Sequence, residues 1–208
     1  MSQESEIIQH QMIDWKTWEP KMLSSLVFIC SDEKVLLIRK KTGLGAGKIN
    51  APGGKIESGE NAETAAVREV EEEVKLKVKE LREMGTLKFQ FIDESQLALH
   101  CTVFMTSEFI GEAKETIEAA PFWCANDEIP YKKMWADDIC WLPGMLEGNC
   151  FEGEFVFYVK LQGFSAPVRR RALCVFFLRF RGSPAGAWGA GVAPGPPRGW
   201  GGGARRVD

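Results

Sequence analysis

The sequence predicts one α/β domain, in which a mixed β-sheet lies between helices, followed by a tail of different composition. Apolar segments with the two-residue periodicity of strands occur both before and after one amphipathic helix, a pattern that is typical of a layered sheet. The length of 208 residues suits a single buried core with an additional tail.

The first half of the domain is predicted to contain a hairpin, a glycine-rich loop and a helix, in that order. Residues 23–30 and 34–39 have the apolar composition of strands and flank a short polar turn. Residues 43–54 contain too much glycine for either regular element. A helix is expected over residues 61–74, with Asn61 as its N-cap.

The second half is predicted to contain three more strands and a short helix. Strand patterns cover residues 84–92 and 96–106, and a loop follows at 127–138. A short helix is expected over residues 140–146. Alternating apolar residues predict a last strand at 154–161.

Composition divides the chain into a leader (residues 1–21), a domain (22–163) and a tail (164–208). The first 163 residues hold 18 basic and 28 acidic residues, which argues against nucleic-acid binding by the domain. The tail holds eight arginines, one acid, nine glycines and five prolines, a composition that predicts disorder. Its apolar stretch 172–180 is the exception and could form a strand or adhere to the domain. A shifted reading frame and a basic nucleic-acid-binding tail are two alternatives for this segment.

The location predicted from sequence is the cytoplasm. The polar, acidic N-terminal segment does not resemble a signal peptide, and no apolar run approaches the ~20 residues that a membrane span requires. The six cysteines lack zinc-type spacing, which favours reduced thiols. We expect a monomer or weak dimer.

Residues 53–75, GGKIESGENAETAAVREVEEEVK, carry the strongest functional signal of the chain. Glu69, Glu72 and Glu73 follow i, i+3, i+4 spacing, so they share one face within a single helical turn. Like charges placed so closely repel one another, which indicates that a cation binds there. Magnesium prefers such carboxylates together with the phosphates of a substrate. The alternative is an ordinary solvated acidic surface.

The same segment resembles the Nudix box, Gly-x5-Glu-x7-Arg-Glu-apolar-x-Glu-Glu-x-Gly-apolar. Eight of the nine specified positions match: Gly54, Glu60, Arg68, Glu69, Val70, Glu72, Glu73 and Leu76. The exception is Lys75, which replaces a glycine suited to a left-handed residue at the helix end. We expect this lysine to cost about 1 kcal/mol of local stability. The fixed spacing disfavours a merely solvated helix face.

The resemblance implies an α/β/α sandwich and metal-dependent hydrolysis of a phosphoanhydride, with Mg²⁺ as the cofactor and Mn²⁺ as the alternative ion. It implies that Glu69, Glu72 and Glu73 ligate the metal and activate water, and that Arg68 orients them. The glycines let the backbone approach the pyrophosphate closely. In this assignment Gly53 belongs to the metal site and Gly54 to the substrate site.

Residues 115–123 and 127–138 resemble a branch of that family, the MutT-like oxidised purine nucleoside triphosphatases. The branch implies that Glu118 completes the metal site. It implies substrate contacts by Lys40, Asn50, Trp135, Asp137 and Asp138. Two adjacent acids in an apolar cleft should not both ionise, so they could pair a donor with an acceptor on a purine edge. The alternative is that they cap the following helix.

The expected function is Mg²⁺-dependent hydrolysis of oxidised purine nucleoside triphosphates, such as 8-oxo-dGTP, to the monophosphate and pyrophosphate. The partner is then a small-molecule nucleotide. Two alternatives stay open, a Nudix hydrolase of ADP-ribose or another nucleoside diphosphate derivative, and a non-catalytic nucleotide sensor on the same fold.

Overall fold

The computed structural model describes residues 13–92, 97–160, 171–181 and 205–207. Within these ranges no helix is long and apolar enough to cross a membrane. The strands are β1 Met22–Ser31, β2 Lys34–Lys40, β3 Ile49–Asn50, β4 Lys77–Lys79, β5 Arg82–Ile92, β6 Ala98–Thr106, β7 Glu108–Ile110, β8 Ala119–Ala125, β9 Cys150–Lys160, β10 Arg171–Arg181 and β11 Arg205–Val207. The α-helices are α1 Ala62–Val74 and α2 Asp138–Leu146, and a 3-10 turn covers Tyr131–Lys133.

One large mixed sheet forms the centre of the molecule. Its strands follow the order β11-β10-β9-β5-β6-β1-β2-β3, and β8 also pairs with β2. The β1–β6 and β5–β9 pairs are parallel, whereas the other pairs in this sheet are antiparallel. A second, two-stranded sheet consists of β4 and β7.

The two faces of the sheet bury different helices. Because side chains alternate along β1, Val27 and Ile29 lie on the face that packs against Val70 of α1. Phe28 lies on the opposite face and meets the ring of Trp141 of α2 at a centroid distance of 5.6 Å. Both helices therefore bury an apolar side against the sheet, which confirms the predicted layered α/β fold.

The glycine-rich loop differs from the prediction, because two of its residues form a strand. Ile49–Asn50 pairs with β2, with Ile38 opposite Asn50 and Arg39 opposite Ile49. Strands β4, β7 and β8 were not predicted at all. Two of them are only three residues long, and β8 contains Pro121, a residue that is rare inside strands.

The other elements lie close to their predicted positions. The helix α1 begins after Asn61, whose side chain accepts a hydrogen bond from the Thr64 N–H at 2.8 Å and so caps it. The turn between β1 and β2 is tighter than expected, since Asp32 and Glu33 both have positive φ angles, 48° and 60°. That geometry suits a two-residue hairpin turn.

Strand β10 coincides with the apolar stretch predicted at 172–180 and pairs along the full edge of β9. Leu178 is buried in the core on the α2 side of the sheet, and Phe180 packs against that core. The three residues of β11 pair with β10. Residues 1–12, 161–170 and 182–204 lie outside the described residues, so the leader, the tail and the domain boundaries stay predictions.

Candidate active site

Glu73 lies at the centre of the site, near the C-terminal end of α1, and is fully buried. Its Oε1 atom is 2.8 Å from the Nζ atom of Lys40, the last residue of β2. Its Oε2 atom accepts a hydrogen bond of 3.0 Å from the Gly53 N–H. The carboxylate of Glu73 therefore links α1 both to the end of β2 and to the glycine turn formed by Gly53 and Gly54.

Arg68 binds three of the box carboxylates at once. Its Nε and Nη2 atoms donate to the two carboxylate oxygens of Glu60, each at 2.8 Å. Its Nη1 atom donates to Glu69 at 2.9 Å and to Glu72 at 3.0 Å. Nη2 also donates to the Lys55 carbonyl at 3.0 Å. Arg68 thus joins the acidic face of α1 to the Lys55 backbone, and its orienting role in catalysis stays a prediction.

The two glycines of the turn are constrained for different reasons. A Cβ atom on Gly53 would lie 2.2 Å from the Ser25 carbonyl oxygen, and the φ angle of +151° is one that other residues rarely adopt. A Cβ atom on Gly54 would lie 2.4 Å from the carboxylate of Glu69. The absence of a side chain at Gly53 therefore allows its backbone to pack on the backbone of β1. At Gly54 it leaves room for the side chain of Glu69.

Hydrogen bonding and burial shift the pKa values of two box carboxylates, Glu60 and Glu69, in opposite directions. The hydrogen bonds from Arg68 lower the pKa of Glu60 to about 2. Burial raises the pKa of Glu69, and the nearby negative charges of Glu73 and Glu72 act in the same direction, while Arg68 opposes them. These glutamates are thus close enough to repel one another, as the sequence spacing predicted.

The charged side chains around Glu73 suit a hard divalent cation, both by their net charge and by their oxygen donors. Four glutamates face two cationic side chains, which leaves a formal charge of −2: Glu60, Glu69, Glu72 and Glu73 against Arg68 and Lys40. Carboxylate oxygens are the ligands that Mg²⁺ prefers. Across the described ranges, no three His, Cys, Asp or Glu side chains already form a metal-ligand cluster. A cation would therefore have to draw carboxylates away from their present partners.

Glu118 reaches the same corner of the molecule from β8. It directly precedes that strand, whose first residue, Ala119, pairs with Lys40. Its carbonyl accepts a hydrogen bond of 2.8 Å from the Lys41 N–H, and its side chain is exposed. The topology thus brings Glu118 beside the Lys40–Glu73 ion pair, although 45 positions separate the two glutamates in sequence.

Asp137 and Asp138 are buried at the start of α2. The Nε1–H of Trp141 donates to Asp137 Oδ2 at 3.0 Å, and the Trp135 N–H donates to Asp138 Oδ2 at 2.9 Å. Among the described residues, Asp137 Oδ1 has no hydrogen-bond partner. Neither contact is a helix cap, because Asp137 makes no capping hydrogen bond and Asp138 bonds to a preceding residue. The capping alternative is therefore wrong.

Burial raises the pKa of Asp137 to about 6. It raises the pKa of Asp138 well above its ordinary value, and the charge of Asp137 adds to this shift. A buried carboxyl group with a raised pKa keeps its proton to higher pH and can then donate a hydrogen bond, whereas an ionised one only accepts. The pair can therefore offer both a donor and an acceptor to a ligand.

Trp135 lies beside this pair, among aromatic rings and one lysine. Its ring meets those of Phe91 and Phe157 nearly edge-on, each at a centroid distance of 6.1 Å. Lys48 places its Nζ atom 4.9 Å from the Trp135 ring centroid and donates to the Met134 carbonyl at 3.1 Å. Lys48 was not predicted as a site residue. Its contact with Trp135 joins positions that are far apart in the sequence, and the sequence of the glycine-rich loop gives no sign of it.

The glycine-rich loop joins the two halves of the site. The Lys40 N–H donates to the Lys48 carbonyl at 3.0 Å, so the lysine on Glu73 and the lysine over Trp135 lie on paired backbone. Asn50 is half-buried on β3, and its Oδ1 accepts from the Ala51 N–H at 2.9 Å. Glu73 contacts Lys40 just before this loop and Gly53 near its end, whereas Trp135 contacts Lys48 within it.

Comparison with known proteins adds three findings. The NUDIX domain family model matches residues 20–145. An oxidized purine nucleoside triphosphate hydrolase of Danio rerio is 42% identical over 149 residues, which cover 72% of this chain and 92% of that protein. The protein of the same name from Mus musculus is 37% identical over 135 residues, covering 65% of this chain and 86% of its own length.

A solved structure agrees with this similarity. The crystal structure of a MutT NUDIX hydrolase from Burkholderia pseudomallei superposes with a TM-score of 0.52 at 28% identity, over 59% of this chain and 95% of that one.

Proposed function

The chain belongs to the Nudix family of hydrolases, and we propose that it hydrolyses oxidised purine nucleoside triphosphates, such as 8-oxo-dGTP, to a monophosphate and pyrophosphate. The observation that carries this proposal is the pair of adjacent buried aspartates, Asp137 and Asp138, beside Trp135. The glycine-rich loop contacts Trp135 through Lys48 and the box carboxylate Glu73 through Gly53. The names of the fish and mouse relatives support the same substrate class.

The acidic face of α1 supplies the hydrolytic part of the site. We assign Glu69, Glu72, Glu73 and Glu118, with the Gly53 carbonyl, to the binding of Mg²⁺, for which Mn²⁺ can substitute. The cation, when bound, neutralises the crowded phosphate oxygens of the substrate. Glu72 is the most accessible of the four box glutamates, with 55% of its side chain exposed. It can turn from Arg68 toward a cation at little cost.

Lys40 has two tasks in this proposal. In the absence of substrate it neutralises the buried charge of Glu73. Its side chain is 19% exposed, so the ammonium group remains accessible from the site and can contact a phosphate oxygen. Arg68 keeps the glutamates in place, and Gly54 leaves the space that Glu69 occupies.

In this proposal the base is read beside the glycine-rich loop, at Trp135 and the two aspartates that follow it. Trp135 offers an indole ring for stacking, and the buried Asp137 Oδ1 atom has no hydrogen-bond donor among the described residues, so a ligand could supply one. A carboxyl pair that shares a proton can donate to one atom of a purine edge and accept from its neighbour. Asn50 contributes an amide from β3. We further propose a cytoplasmic monomer or weak dimer whose main domain does not bind nucleic acid.

A substrate panel tests the proposal. The full-length protein is incubated with Mg²⁺ and, separately, 8-oxo-dGTP, 2-oxo-dATP, dGTP and ADP-ribose, and the products are identified. We expect the oxidised purine triphosphates to give the monophosphate and pyrophosphate, and a chelator to abolish turnover. ADP-ribose as the best substrate would instead assign the chain to hydrolases of nucleoside diphosphate derivatives. Binding without turnover of any compound would indicate a nucleotide sensor.

A further inference from the structure

The hydroxyl group of Thr116 uses all of its hydrogen-bonding capacity at the edge of the active site. Its Oγ1 atom donates to the backbone carbonyl of Glu73 at 2.9 Å. The same atom accepts from the N–H groups of Glu118 and Ala119, each at 3.2 Å. A hydroxyl group can donate one hydrogen bond and accept two, and the Thr116 hydroxyl makes all three of these bonds.

These bonds join two segments that carry predicted site residues. The Glu73 carbonyl belongs to the last turn of α1, where carbonyl groups lack partners within the helix. The segment around Thr116 is itself closed by a bond of 2.9 Å from the Thr116 N–H to the Ala119 carbonyl. It is fastened to β2 by the bond from the Lys41 N–H to the Glu118 carbonyl. The Lys41 Nζ atom also donates to the Thr116 carbonyl at 2.6 Å.

Glu118 has an exposed side chain, but hydrogen bonds hold its backbone through both the N–H and the carbonyl group. The N–H group of Glu118 is held by Thr116, and its carbonyl is held by Lys41. The Thr116 hydroxyl links this backbone to the carbonyl of Glu73, and two residues earlier the Lys114 N–H donates to the neighbouring Val74 carbonyl at 2.9 Å. Thr116 is thus the residue that joins the N–H group of Glu118 directly to the backbone of Glu73.

We propose that Thr116 is a positioning residue that holds Glu118 in register with Glu73, so that both carboxylates can serve one cation. This inference rests on the proposed function, in which Glu118 and Glu73 belong to the same site. Residues that orient metal ligands without touching the metal commonly change metal affinity or activity by about 10- to 100-fold when they are replaced.

Three variants at two positions separate positioning from general stability. Thr116→Val keeps the shape of the side chain and removes the hydroxyl, whereas Thr116→Ser keeps the hydroxyl. Thr106→Val is the matched control. The Thr106 hydroxyl makes a similar link, donating to the Lys79 carbonyl at 2.7 Å and accepting from the Glu108 N–H at 2.9 Å. Neither Lys79 nor Glu108 is a proposed site residue.

The experiment measures the binding of Mn²⁺ alone to the full-length protein. The concentration of free Mn²⁺ is determined from its electron paramagnetic resonance signal. We expect Thr116→Val to weaken Mn²⁺ binding about 10- to 100-fold, and Thr116→Ser and Thr106→Val to bind like the wild type. In a Glu118→Gln background, Thr116→Val should cause little further loss, because the ligand that it positions is already gone. If circular dichroism shows that Thr116→Val is unfolded, Thr116→Ala replaces it.

Wild-type Mn²⁺ affinity in Thr116→Val would overturn the proposal, and so would an equal loss in Thr116→Ser. A full additional loss in the Glu118→Gln background would do the same, as would the absence of Mn²⁺ binding by the wild type. The substrate panel remains a separate measurement. If the Mn²⁺ pattern appears but no oxidised purine triphosphate is hydrolysed, Thr116 keeps its role and the proposed substrate fails.

Discussion

Lys40 places its ammonium nitrogen 2.8 Å from a carboxylate oxygen of Glu73, and this ion pair joins the last residue of β2 to the penultimate residue of α1. Only 1% of the Glu73 side chain is exposed, so its charge depends on Lys40 and on the Gly53 N–H for compensation. Glu73 therefore stabilises the architecture of the site, in addition to the metal-binding role proposed for it.

Glu73→Gln should abolish turnover and leave the fold intact. The amide oxygen can still accept from the Gly53 N–H, but the charge that pairs with Lys40 and binds the cation is lost. We expect a decrease in kcat of about 100-fold or more and a loss of about 1–3 kcal/mol in the free energy of unfolding. Steady-state kinetics and urea unfolding measure the two effects. The exposed neighbour Glu71→Gln is the control, and near-normal activity of Glu73→Gln would refute its assigned role.

The two glycines of the turn should respond differently to alanine. In Gly54→Ala the new methyl group meets the end of the Glu69 side chain, which can move. We expect a loss of about 10- to 100-fold in kcat/KM with little change in stability. In Gly53→Ala the methyl group meets the backbone of β1, so we expect a loss on the order of 3 kcal/mol in the free energy of unfolding. Thermal unfolding and kinetics of both variants, compared side by side, test this; the reverse ranking would contradict it.

Replacing Lys75 with glycine should stabilise the protein. Lys75 ends α1 with φ 63° and ψ 20°, the left-handed conformation expected at this position, which favours glycine over residues with a Cβ atom. We expect Lys75→Gly to add about 1 kcal/mol to the free energy of unfolding, or about 2–4 °C in Tm, without changing kcat. Lys75→Ala retains the Cβ atom and should bring no such gain. A decrease in Tm for the glycine variant would show that the lysine side chain makes a compensating contribution.

The buried aspartates should make stability depend on pH. An aspartate in an unfolded chain has a pKa of about 3.9, whereas burial raises the pKa of Asp137 to about 6 and that of Asp138 well above its ordinary value. The folded state therefore binds more protons above about pH 4, and the free energy of unfolding falls as pH rises through about 4 to 6, by up to about 1.4 kcal/mol per pH unit for each group.

Urea unfolding between about pH 4 and pH 7 checks this dependence. Asp138→Asn removes one titrating group and should make the decline shallower, whereas Asp127→Asn, at an exposed position, should leave it unchanged. A wild-type stability that rises across this interval would show that the pair is not protonated in the folded state.

The parts of the site that were predicted from sequence are those that local spacing determines. Three glutamates and an arginine within one helical segment must share a face, and the structure shows Arg68 bound to three box carboxylates. The Asn61 cap and the left-handed Lys75 follow from the same segment, because caps depend on residues a few positions away. The burial of Asp137 and Asp138 agrees with the apolar cleft expected around them.

The remaining features depend on contacts between distant segments. The Lys40–Glu73 pair spans 33 positions and the Thr116–Glu73 bond spans 43, and neither has a local signature in the sequence. Lys48 meets Trp135 only because β3 pairs with β2, and β3 is a two-residue strand within a loop rich in glycine. Strand β8, which Glu118 directly precedes, was not predicted because it contains a proline.

We propose above all that the Asp137–Asp138 pair selects an oxidised purine for hydrolysis at the box carboxylates. The most direct measurement is the ratio of kcat/KM for 8-oxo-dGTP over dGTP in the wild type and in Asp138→Asn, with the released pyrophosphate quantified. We predict that the wild type favours the oxidised base and that Asp138→Asn changes the ratio by about tenfold or more, while the Mg²⁺ dependence stays the same. Equal rates for the two nucleotides in the wild type, or an unchanged ratio in the variant, would contradict the claim.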